Sequence, residues 1–277
     1  KRPMTDQTNT PGPALIRGYR PEALLLRTAR RQLRDLQTHF PSLRSAKAAV
    51  YNAATRHLGW FADPEFRLLA RLAPVGLAID IGGNWGQSVH ALKRYARPAR
   101  IVTIEPIPAL AHRLEAEFAG DSSVEVLDIA LGPVRGRQLL HIPKYRNYSY
   151  DGLASLDHSA ASGWLTSDRM ARFDPCLMQV ESCEVAIEPL DALGLSPDVI
   201  KIDVQGFEAQ VLMGAAKTVR RSQPVIIVER PYDAFIHIAG KLGLRPYGWD
   251  GRKLVAGDLT RKNTMFLTER HVSLLAS

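Results

Sequence analysis

The fold of this chain is decided at Gly76-Leu77-Ala78-Ile79-Asp80-Ile81-Gly82-Gly83-Asn84-Trp85-Gly86. A short apolar run ends in an acidic residue and a glycine-rich turn, and residues 87–93 then show helical spacing. Doubly wound α/β folds use strand, glycine turn and helix in this order to place a ligand at the carboxyl end of their first strand. The stretch therefore predicts an α/β domain with a ligand site at this turn.

A second apolar run, residues 100–104, ends in Glu105. In such folds an acidic residue at this place accepts hydrogen bonds from ribose hydroxyls. The glycine spacing does not fit a dinucleotide, because the positions that should follow Gly82 as glycines hold Asn84 and Gln87. Together these features predict a nucleoside ligand without a pyrophosphate, such as S-adenosylmethionine. For the glycine stretch alone, an ordinary turn without a ligand is the alternative.

The composition is typical of a soluble globular protein. The chain has 277 residues, of which 45% are hydrophobic and 23% charged, enough for one large α/β domain with an appendage. No apolar run is long enough for a membrane span and no signal-peptide pattern is present, so we expect a cytoplasmic protein. The two cysteines provide neither a disulfide framework nor a metal knuckle.

The formal net charge of +8 favours anionic partners. Nucleic acid, phosphorylated sugars and an acidic membrane surface all fit this charge, and peripheral membrane contact stays open. The arginine-rich N-terminal segment has few of the interleaved aromatic side chains that stack on bases. We therefore do not expect nucleic acid as the partner.

The chain divides into three parts. Residues 1–20 lack periodicity and predict a flexible tail, whereas residues 21–75 predict two amphipathic helices, separated at Pro41-Ser42, and a shorter third helix from Pro64 to Leu72. We expect this extension to be a cap, a lid or the surface of a homodimer. Its predicted inward faces are Leu26, Ala29, Leu33, Leu36 and Phe40 in the first helix, and Ala46, Ala49, Val50, Ala53 and Ala54 in the second. Residues 76–277 form the α/β domain.

Strands and helices alternate at the start of this domain. We predict strands at 77–81, 100–104 and 124–127, and helices at about 85–95 and 108–118. Elements at these intervals imply a parallel sheet with right-handed crossovers. Asp128 follows the third strand, where it can meet the exocyclic amine of an adenine or simply cap a turn.

Residues 137–188 interrupt the alternation. Short strands are predicted at 138–142 and 183–187, and a long irregular stretch lies between them. Excursions of this length are usually binding loops or lids, so we expect a substrate lid at about residues 143–182. Three tyrosines, Arg146, His158 and Trp164 would suit a sugar or another polyol acceptor, and a mobile surface loop is the alternative.

The second landmark is Val199-Ile200-Lys201-Ile202-Asp203-Val204-Gln205-Gly206-Phe207-Glu208. It predicts a buried strand, a glycine turn and a helix that runs to about Arg221. Lys201 and Asp203 lie on one face of this strand, and charges there are costly unless they are paired or used. We expect a functional role for both, with a structural ion pair as the alternative.

The remaining sequence completes the sheet. A strand at 224–228 ends in Glu229, and the helix that follows carries His237. Residues 246–255 predict a hairpin with a type I′ turn at Asp250-Gly251. A closing strand at 264–267 is expected to run in the opposite direction to the parallel strands.

These motifs together resemble the FkbM-type methyltransferases, S-adenosylmethionine-dependent O-methyltransferases of the class I superfamily. The matching pieces are Ile79 to Gln87, Ile104 to Pro108, Ala130 to Gly132, Ala154 to Leu156, Leu190-Asp191, Ile200 to Glu208 and Leu212 to Ala215. The resemblance implies a Rossmann-like fold with a mostly parallel seven-stranded sheet and helices on both faces. Here that fold carries an N-terminal helical extension.

Two residues depart from the family pattern. Gln205 stands where the family usually has Glu, and Gly83 stands where Ala is common. A neutral amide is no base, so Gln205 cannot serve as a base or as an anionic metal ligand. This departure keeps open a non-catalytic cofactor-binding or scaffold protein of the same fold.

The resemblance also implies where S-adenosylmethionine binds. Asp80 and the turn after it would hold the methionine end, Glu105 the ribose and Asp128 the adenine. The expected cofactor-binding residues are Asp80, Gly82, Gly83, Asn84, Gly86, Gln87, Glu105, Pro106, Asp128, Ala130 and Asp203.

Methyl transfer from a sulfonium needs alignment and removal of the hydroxyl proton, but no acid for the leaving group. The candidate catalytic residues are Asp203, Lys201, Glu208, Glu229 and His237, and the candidate substrate-binding residues are Tyr148, Ser155, His158 and Gln205. A divalent cation bridging Asp203 and Glu229 is conceivable but not favoured. We expect the acceptor to be a hydroxyl of a sugar, a glycan or a glycosylated small molecule. RNA methylation is the alternative.

Overall fold

The computed structural model describes residues 24–41, 43–72 and 74–276. The predicted tail at residues 1–20 and the predicted break at Ser42 lie outside these ranges, and so does the side chain of Leu26.

Within the described ranges the strands form a large and a small sheet. In chain order they are β1 (Leu77–Ile81), β2 (Arg100–Ile104), β3 (Val124–Leu127), β4 (Ala130–Leu131), β5 (Gly136–Tyr145), β6 (Tyr148–Ser149), β7 (Met178–Glu188), β8 (Val199–Ile202), β9 (Val225–Glu229), β10 (Arg245–Trp249), β11 (Leu254–Ala256) and β12 (Asn263–Leu267).

The large sheet has eight strands in the order β11-β10-β12-β9-β8-β1-β2-β3. Its five strands from β9 to β3 are parallel, and β12 pairs antiparallel with β9. The predicted α/β architecture with a reversed closing strand is therefore confirmed. The predicted number of seven strands was one too low, because both arms of the hairpin join the sheet, β10 beside β12 and β11 at the edge.

Both faces of the central strands are buried. Ile79, Ile81 and Ile202 belong to one apolar cluster, whereas Ala78 and Ile101 belong to the cluster on the opposite face. Near-continuous apolar runs of this kind are what a parallel sheet requires when helices cover both sides. The sheet is therefore a rigid frame that holds the turns at its carboxyl edge in place.

The helices in the described ranges are α1 (Leu24–His39), α2 (Leu43–Leu58), α3 (Gln87–Tyr95), α4 (Pro108–Phe118), α5 (His158–Gly163), α6 (Glu208–Gly214), α7 (Ala216–Ser222), α8 (Asp233–Lys241) and α9 (Glu269–Ala276). The predicted third helix is a 3₁₀ helix over Pro64–Leu72.

The helix predicted from Glu208 to about Arg221 is in fact two helices, α6 and α7. The break follows Gly214, where the chain passes so close to Gly132 that a Cβ atom would overlap the carbonyl oxygen of Gly132. The periodicity of apolar residues continues across the break, so the sequence pattern did not indicate it.

The predicted inward faces of α1 and α2 were wrong. Leu33 and Leu36 of α1, Phe40 just after it and Val50 of α2 are more than half exposed. The buried positions are instead Asp35 and Thr38 in α1, and Ala48, Asn52 and Thr55 in α2. These helices are held largely through polar side chains, which a search for an apolar face does not find.

The segment at 137–188 is more regular than predicted. Instead of two short strands, β5 and β7 form a ten-pair antiparallel ladder, extended by β4 and β6 into a separate four-stranded sheet. Residues 143–182, predicted as a substrate lid and referred to below as the lid, also have a small core of their own in Tyr145, Leu165 and Met170, all buried. The lid is thus a packed substructure and not an irregular loop.

The predicted type I′ turn at Asp250-Gly251 is also corrected. Trp249 pairs with Leu254, so the hairpin connection has four residues, and only Gly251 within it has a positive φ. The Asp250 carboxylate accepts hydrogen bonds from the backbone nitrogens of Arg252 and Lys253, which stabilises this longer turn.

Candidate active site

Two glycine turns meet at the carboxyl edge of the large sheet. Gly82, at the end of β1, has φ +89°, and a Cβ atom there would overlap the carbonyl oxygen of Asp203 at the end of β8. The Gly82 and Gly83 nitrogens donate to the carbonyl oxygen of Ile104, at 2.9 and 3.1 Å. The two sequence landmarks and the end of β2 are therefore locked together at one point.

A row of polar side chains crosses the sheet beneath this point. Asp80 in β1 pairs with Thr103 in β2 and with Lys201 in β8. Thr103 Oγ1 donates to Asp80 Oδ2 over 3.2 Å, and burial raises the pKa of the Asp80 carboxyl to about 7 although Lys201 opposes the shift. Asp80 is fully buried and supports the glycine turn from below.

Glu105 closes the other side of the glycine turn. Its carboxylate accepts hydrogen bonds from the backbone nitrogens of Asn84 at 2.7 Å and Ile107 at 2.9 Å. Burial raises its pKa to about 7, which these two hydrogen bonds partly offset. The carboxylate is thus held in place by the turn that it faces.

A cavity of about 220 Å³ opens above these turns. Its lining includes Tyr51, Phe61, Asp63, Gly82, Asn84, Gln87, Glu105, Pro106, Ile107, Ile129, Ala130, Leu131, Leu156, Lys201, Asp203, Gln205 and Lys262. Its lining has a polar, glycine-rich part, an apolar flank at 129–131 and a charged part around Asp203. Such a cavity is the usual form of a ligand site at the carboxyl edge of an α/β sheet.

The residues of the glycine-turn end fit S-adenosylmethionine. Asn84 Oδ1 is buried without a hydrogen-bond partner among the described residues, and so is Asp80 Oδ1. A ligand that carries an ammonium or hydroxyl group beside Asn84 would satisfy such an acceptor. Glu105 offers carboxylate oxygens for ribose hydroxyls, and Ala130 with its apolar neighbours offers a slot for a planar ring.

The charged end of the cavity is organised around Asp203. Gln205 Nε2 donates to Asp203 Oδ1 over 2.6 Å, and Lys201 Nζ lies 3.9 Å from Asp203 Oδ2. Gln205 has φ +50°, which turns the chain so that residues 203 and 205 both line the cavity. The amide of Gln205 therefore positions the neighbouring carboxylate.

Sequence reasoning missed Asp63 and Lys262, which also line this end. Lys262 Nζ lies 3.0 Å from Asp63 Oδ2 and 3.7 Å from Glu229 Oε2. Partial burial alone would lower the pKa of Lys262, but the carboxylates of Asp63 and Glu229 raise it. The available signal was the predicted reversed direction of the closing strand. Because β12 is antiparallel, its first residue, Asn263, pairs with Glu229, and the preceding residue, Lys262, therefore lies at the edge of the site. Asp63 has no motif around it.

With this geometry in place, sequence comparison identifies the chain. The model of the methyltransferase FkbM domain matches residues 75–242, more than half of the chain. The chain belongs to the FkbM methyltransferase family. The family that the motifs resemble is therefore confirmed. No curated protein gives a significant match.

Solved structures of low identity were also compared with this FkbM-family chain. An FkbM methyltransferase from Methylobacillus flagellatus KT has 14% identity and a TM-score of 0.41, with 84% of this chain and 59% of that chain covered. The O-methyltransferase TomG from Streptomyces achromogenes has 15% identity and a TM-score of 0.37, with 87% and 97% covered. This chain thus spans less than two thirds of the Methylobacillus protein. The family assignment rests on the domain match and not on these structures.

Several residues predicted for the site of this FkbM-family methyltransferase do not line its cavity. They are Asp80, Gly83, Gly86, Asp128, Ser155, His158, Glu208, Glu229 and His237, and Tyr148 lines a neighbouring groove. Asp128, His158 and His237 are exposed, outside the lining of the cavity. The turn residues Gly83 and Gly86 pack against α4 side chains, and Asp80 lies beneath them.

Two of these residues have structural partners instead. The carboxylate of Glu208 is buried and accepts from the Gly206 nitrogen, so it closes the turn before α6, and burial raises its pKa. Ser155 Oγ is buried and accepts from the Asp157 nitrogen, which begins the turn into α5. Their side chains are committed to these turns.

The described part of this methyltransferase holds no group of three or more His, Cys, Asp or Glu side chains placed to bind a metal ion. Asp203 and Glu229 therefore lack a third ligand of that kind there, and their nearest ion-pair partners are Lys201 and Lys262. In the same residues, no helix combines the length and the apolar character needed to cross a membrane.

Proposed function

We propose that this FkbM-family chain is an O-methyltransferase that methylates a hydroxyl of a sugar, a glycan or a glycosylated small molecule. The observation that carries this proposal is one cavity lined by the glycine turn and Glu105 together with Asp203 and Lys201. A hydroxyl compound bound at the charged end would share that cavity with the cofactor.

The protein contributes binding, alignment and proton removal. S-adenosylmethionine, when bound, supplies a methyl carbon on a sulfonium, whose departure needs no acid. We assign the acceptance of the hydroxyl proton to the Asp203 carboxylate, which faces the cavity and is oriented by Gln205. Lys201 Nζ lies 3.9 Å from Asp203 Oδ2 and so places positive charge beside the proposed base.

Gln205 does not argue against catalysis in this arrangement. An amide that donates to Asp203 Oδ1 fixes the direction of that carboxylate, whereas a second carboxylate at this place would repel it. The departure from the usual Glu therefore fits a positioning role for residue 205 and a proton-accepting role for residue 203.

The test is transfer of a labelled methyl group from S-adenosylmethionine to a panel of methyl glycosides, sugar phosphates, uronic acids and RNA. We expect incorporation into at least one sugar. Asp203→Asn should lower kcat by about 100-fold or more, because a positioned base contributes on the order of 10²–10⁴. Its affinity for S-adenosylhomocysteine should stay within about threefold of the unmodified protein.

Glu115→Gln is the control, because it removes one exposed carboxylate on α4, away from the cavity lining. Incorporation into RNA and no sugar would overturn the proposal in favour of an RNA methyltransferase. Binding of S-adenosylhomocysteine without transfer to any acceptor would support the scaffold alternative. Full activity of Asp203→Asn would remove Asp203 from the mechanism.

A further inference from the structure

A second cavity adjoins the first. It has a volume of about 280 Å³ and lies between α1, α2 and the lid; we refer to it as the side groove. Its lining is Arg34, Gln37, Arg44, Lys47, Ala48, Tyr51, Trp85, Tyr148, Ser149, Tyr150, Asp151, Gly152, Leu153 and Trp164. Tyr51, Asp151 and Gly152 also line the cofactor cavity, so the two spaces share a wall.

The side groove is positively charged. It contains the cations Arg34, Arg44 and Lys47, against the single carboxylate of Asp151. Arg44 forms an ion pair with Asp151, and Lys47 is exposed at the side of the groove. The groove therefore carries an excess of two positive charges, which favours an anionic ligand.

Aromatic rings hold two of these cations in place. The Arg44 guanidinium lies over Trp85 at 4.9 Å and over Tyr148 at 5.4 Å, and that of Arg34 lies over Trp164 at 5.0 Å. Stacking of this kind fixes the plane of a guanidinium and prepares its N–H groups for an anion.

Polar groups beside the cations suit a hydroxylated ligand. Gln37 and Ser149 line the groove, and the Tyr150 hydroxyl is buried without a hydrogen-bond partner among the described residues. Arg113 also lies over Trp85 and Arg169 over Trp164, each at 4.4 Å, so these two rings hold cations. The groove therefore combines anion recognition and hydroxyl recognition.

We propose that the side groove binds the anionic group of the acceptor, and that this acceptor is a phosphorylated or carboxylated sugar. This proposal deepens the proposed function and rests on it. The anionic group would lie among Arg34, Arg44 and Lys47, and the sugar would continue past Asp151 and Gly152 into the cofactor cavity. A single strand of nucleic acid needs a longer track of charge and free stacking surfaces than this groove of about 280 Å³ offers.

The test measures binding by tryptophan fluorescence and calorimetry, with the full chain saturated by S-adenosylhomocysteine. The probes are glucose 1-phosphate, glucuronate, neutral glucose and a uridine decamer. We expect glucose 1-phosphate or glucuronate to bind at least tenfold more tightly than glucose. The tighter of the two identifies phosphate or carboxylate as the group recognised.

Lys47→Ala and Arg44→Lys should each weaken the anionic sugar by about tenfold and leave affinity for S-adenosylhomocysteine unchanged. Arg44→Lys keeps the ion pair with Asp151 but lacks the planar fork, so it separates anion recognition from folding. Lys241→Ala is the matched control, because it removes one exposed cation of α8 outside the groove.

Equal affinity for glucose and the anionic sugars, no effect of Lys47→Ala, or tighter binding of the uridine decamer would each overturn the side-groove proposal. Absence of sugar binding would do the same. Because S-adenosylhomocysteine binding is measured separately, its loss would count against the proposed function itself. Methylation of neutral glycosides alone would leave that function standing and remove only this inference.

Discussion

Gly82 occupies the point at which the turns after β1 and β8 pass each other. Its φ of +89° lies in the left-handed region, and the Asp203 carbonyl oxygen fills the space in which a side chain would begin. Glycine is required here for two reasons: the backbone has a positive φ, and there is no space for a Cβ atom.

Gly82→Ala should therefore lower the free energy of unfolding by about 2–4 kcal/mol. The same change would displace Asp203, so methyl transfer should fall further than stability. Chemical denaturation and initial rates measure the two effects. Gly120→Ala is the control, because Gly120 has open space around it and no positive φ. Equal stability of the two variants would contradict this account of Gly82.

Glu105 should make cofactor binding depend on pH. Its pKa of about 7 reflects burial, and only the ionised carboxylate can accept from two ribose hydroxyls while it holds the Asn84 and Ile107 nitrogens. Affinity for S-adenosylhomocysteine should therefore rise as the pH increases from about 6 to about 8. Calorimetric titration across this range measures the slope.

Glu105→Gln should weaken S-adenosylhomocysteine by about tenfold or more at pH 8, since a hydrogen bond to a charged group contributes about 1.5–3 kcal/mol. It should also reduce the slope with pH. The remaining slope belongs to Asp80, whose pKa is also about 7. Glu115→Gln should behave like the unmodified protein. A pH-independent affinity in the unmodified protein would show that Glu105 does not ionise on binding.

At the level of single residues, sequence predicted the cavity positions that belong to motifs. Gly82, Asn84, Glu105 and Asp203 all line the cavity, because turns after buried parallel strands must end at one edge. The sequence did not predict Asp63 and Lys262 as lining residues, because the position of each depends on tertiary packing and not on a local sequence pattern. Asp128, His158 and His237 were predicted by nearness in sequence to a strand, a loop or a helix, and the chain carries them elsewhere.

Among the secondary-structure elements, α1 and the lid behave as one unit. Arg172 donates from Nε and Nη2 to the buried carboxylate of Asp35, at 2.9 and 2.6 Å. Arg31 and Arg34 donate to the carbonyl oxygens of Ser167 and Arg169. This polar clasp, defined by Arg31, Arg34, Asp35 and Arg172, explains why α1 buries an aspartate and leaves its leucines exposed.

Asp35→Ala should loosen the lid without unfolding the sheet. Loss of a charge-assisted hydrogen-bond pair costs about 1–3 kcal/mol, so amide exchange at residues 164–173 should accelerate by about tenfold or more. Hydrogen exchange followed by mass spectrometry measures this segment separately from β1 and β8. Glu125→Gln is the control, because it breaks the exposed ion pair with Arg100 far from the lid. Unchanged exchange at 164–173 would mean that the clasp does not order the lid.

Element boundaries were predicted best for short strands that coincide with an apolar run. The bounds of β1, β2 and β3 agree with their apolar runs, whereas the break between α6 and α7 depends on the close approach of Gly214 to Gly132, 82 positions earlier in the chain. The sequence pattern also did not indicate the full length of the β5–β7 ladder, because its strands carry many exposed polar residues.

For the whole molecule, the buried acids set how stability depends on pH. Asp80 and Glu105 have pKa values of about 7 in the folded chain, against about 4 in an unfolded one. Between these values the folded chain binds more protons, so raising the pH lowers the free energy of unfolding. Asp121 acts in the opposite sense: Lys93 lowers its pKa to about 2, and that stabilisation is lost as the pH falls below about 4.

We therefore expect the free energy of unfolding to be greatest at about pH 4 and to decline towards about pH 7. Urea denaturation at half-unit intervals measures the profile. The double variant Asp80→Asn/Glu105→Gln should flatten the decline, and Glu115→Gln should leave it unchanged. A free energy of unfolding that rises from pH 5 to pH 7.5 would contradict the burial of these carboxyls as protonated groups.

The general architecture was predictable because the sequence alternates buried strands with helices, and right-handed crossovers leave few topologies. The family match confirms that prediction, and the eighth strand is a detail of the hairpin. Placement of the N-terminal extension was not predictable, because α1 and α2 join the rest through polar side chains such as Asp35 and Asn52, which satisfy partners far away in sequence.

The polar clasp has a consequence for synthesis. The partners of α1 in the lid are encoded about 135 positions after it, as for Arg34 and Arg169. At about 5–20 residues per second a ribosome needs roughly 7–27 s to bridge that interval, during which α1 has nothing to dock against. Strands β1 to β3 emerge within it and can begin to pair. The first helix of the described chain, α1, is therefore among the last to dock.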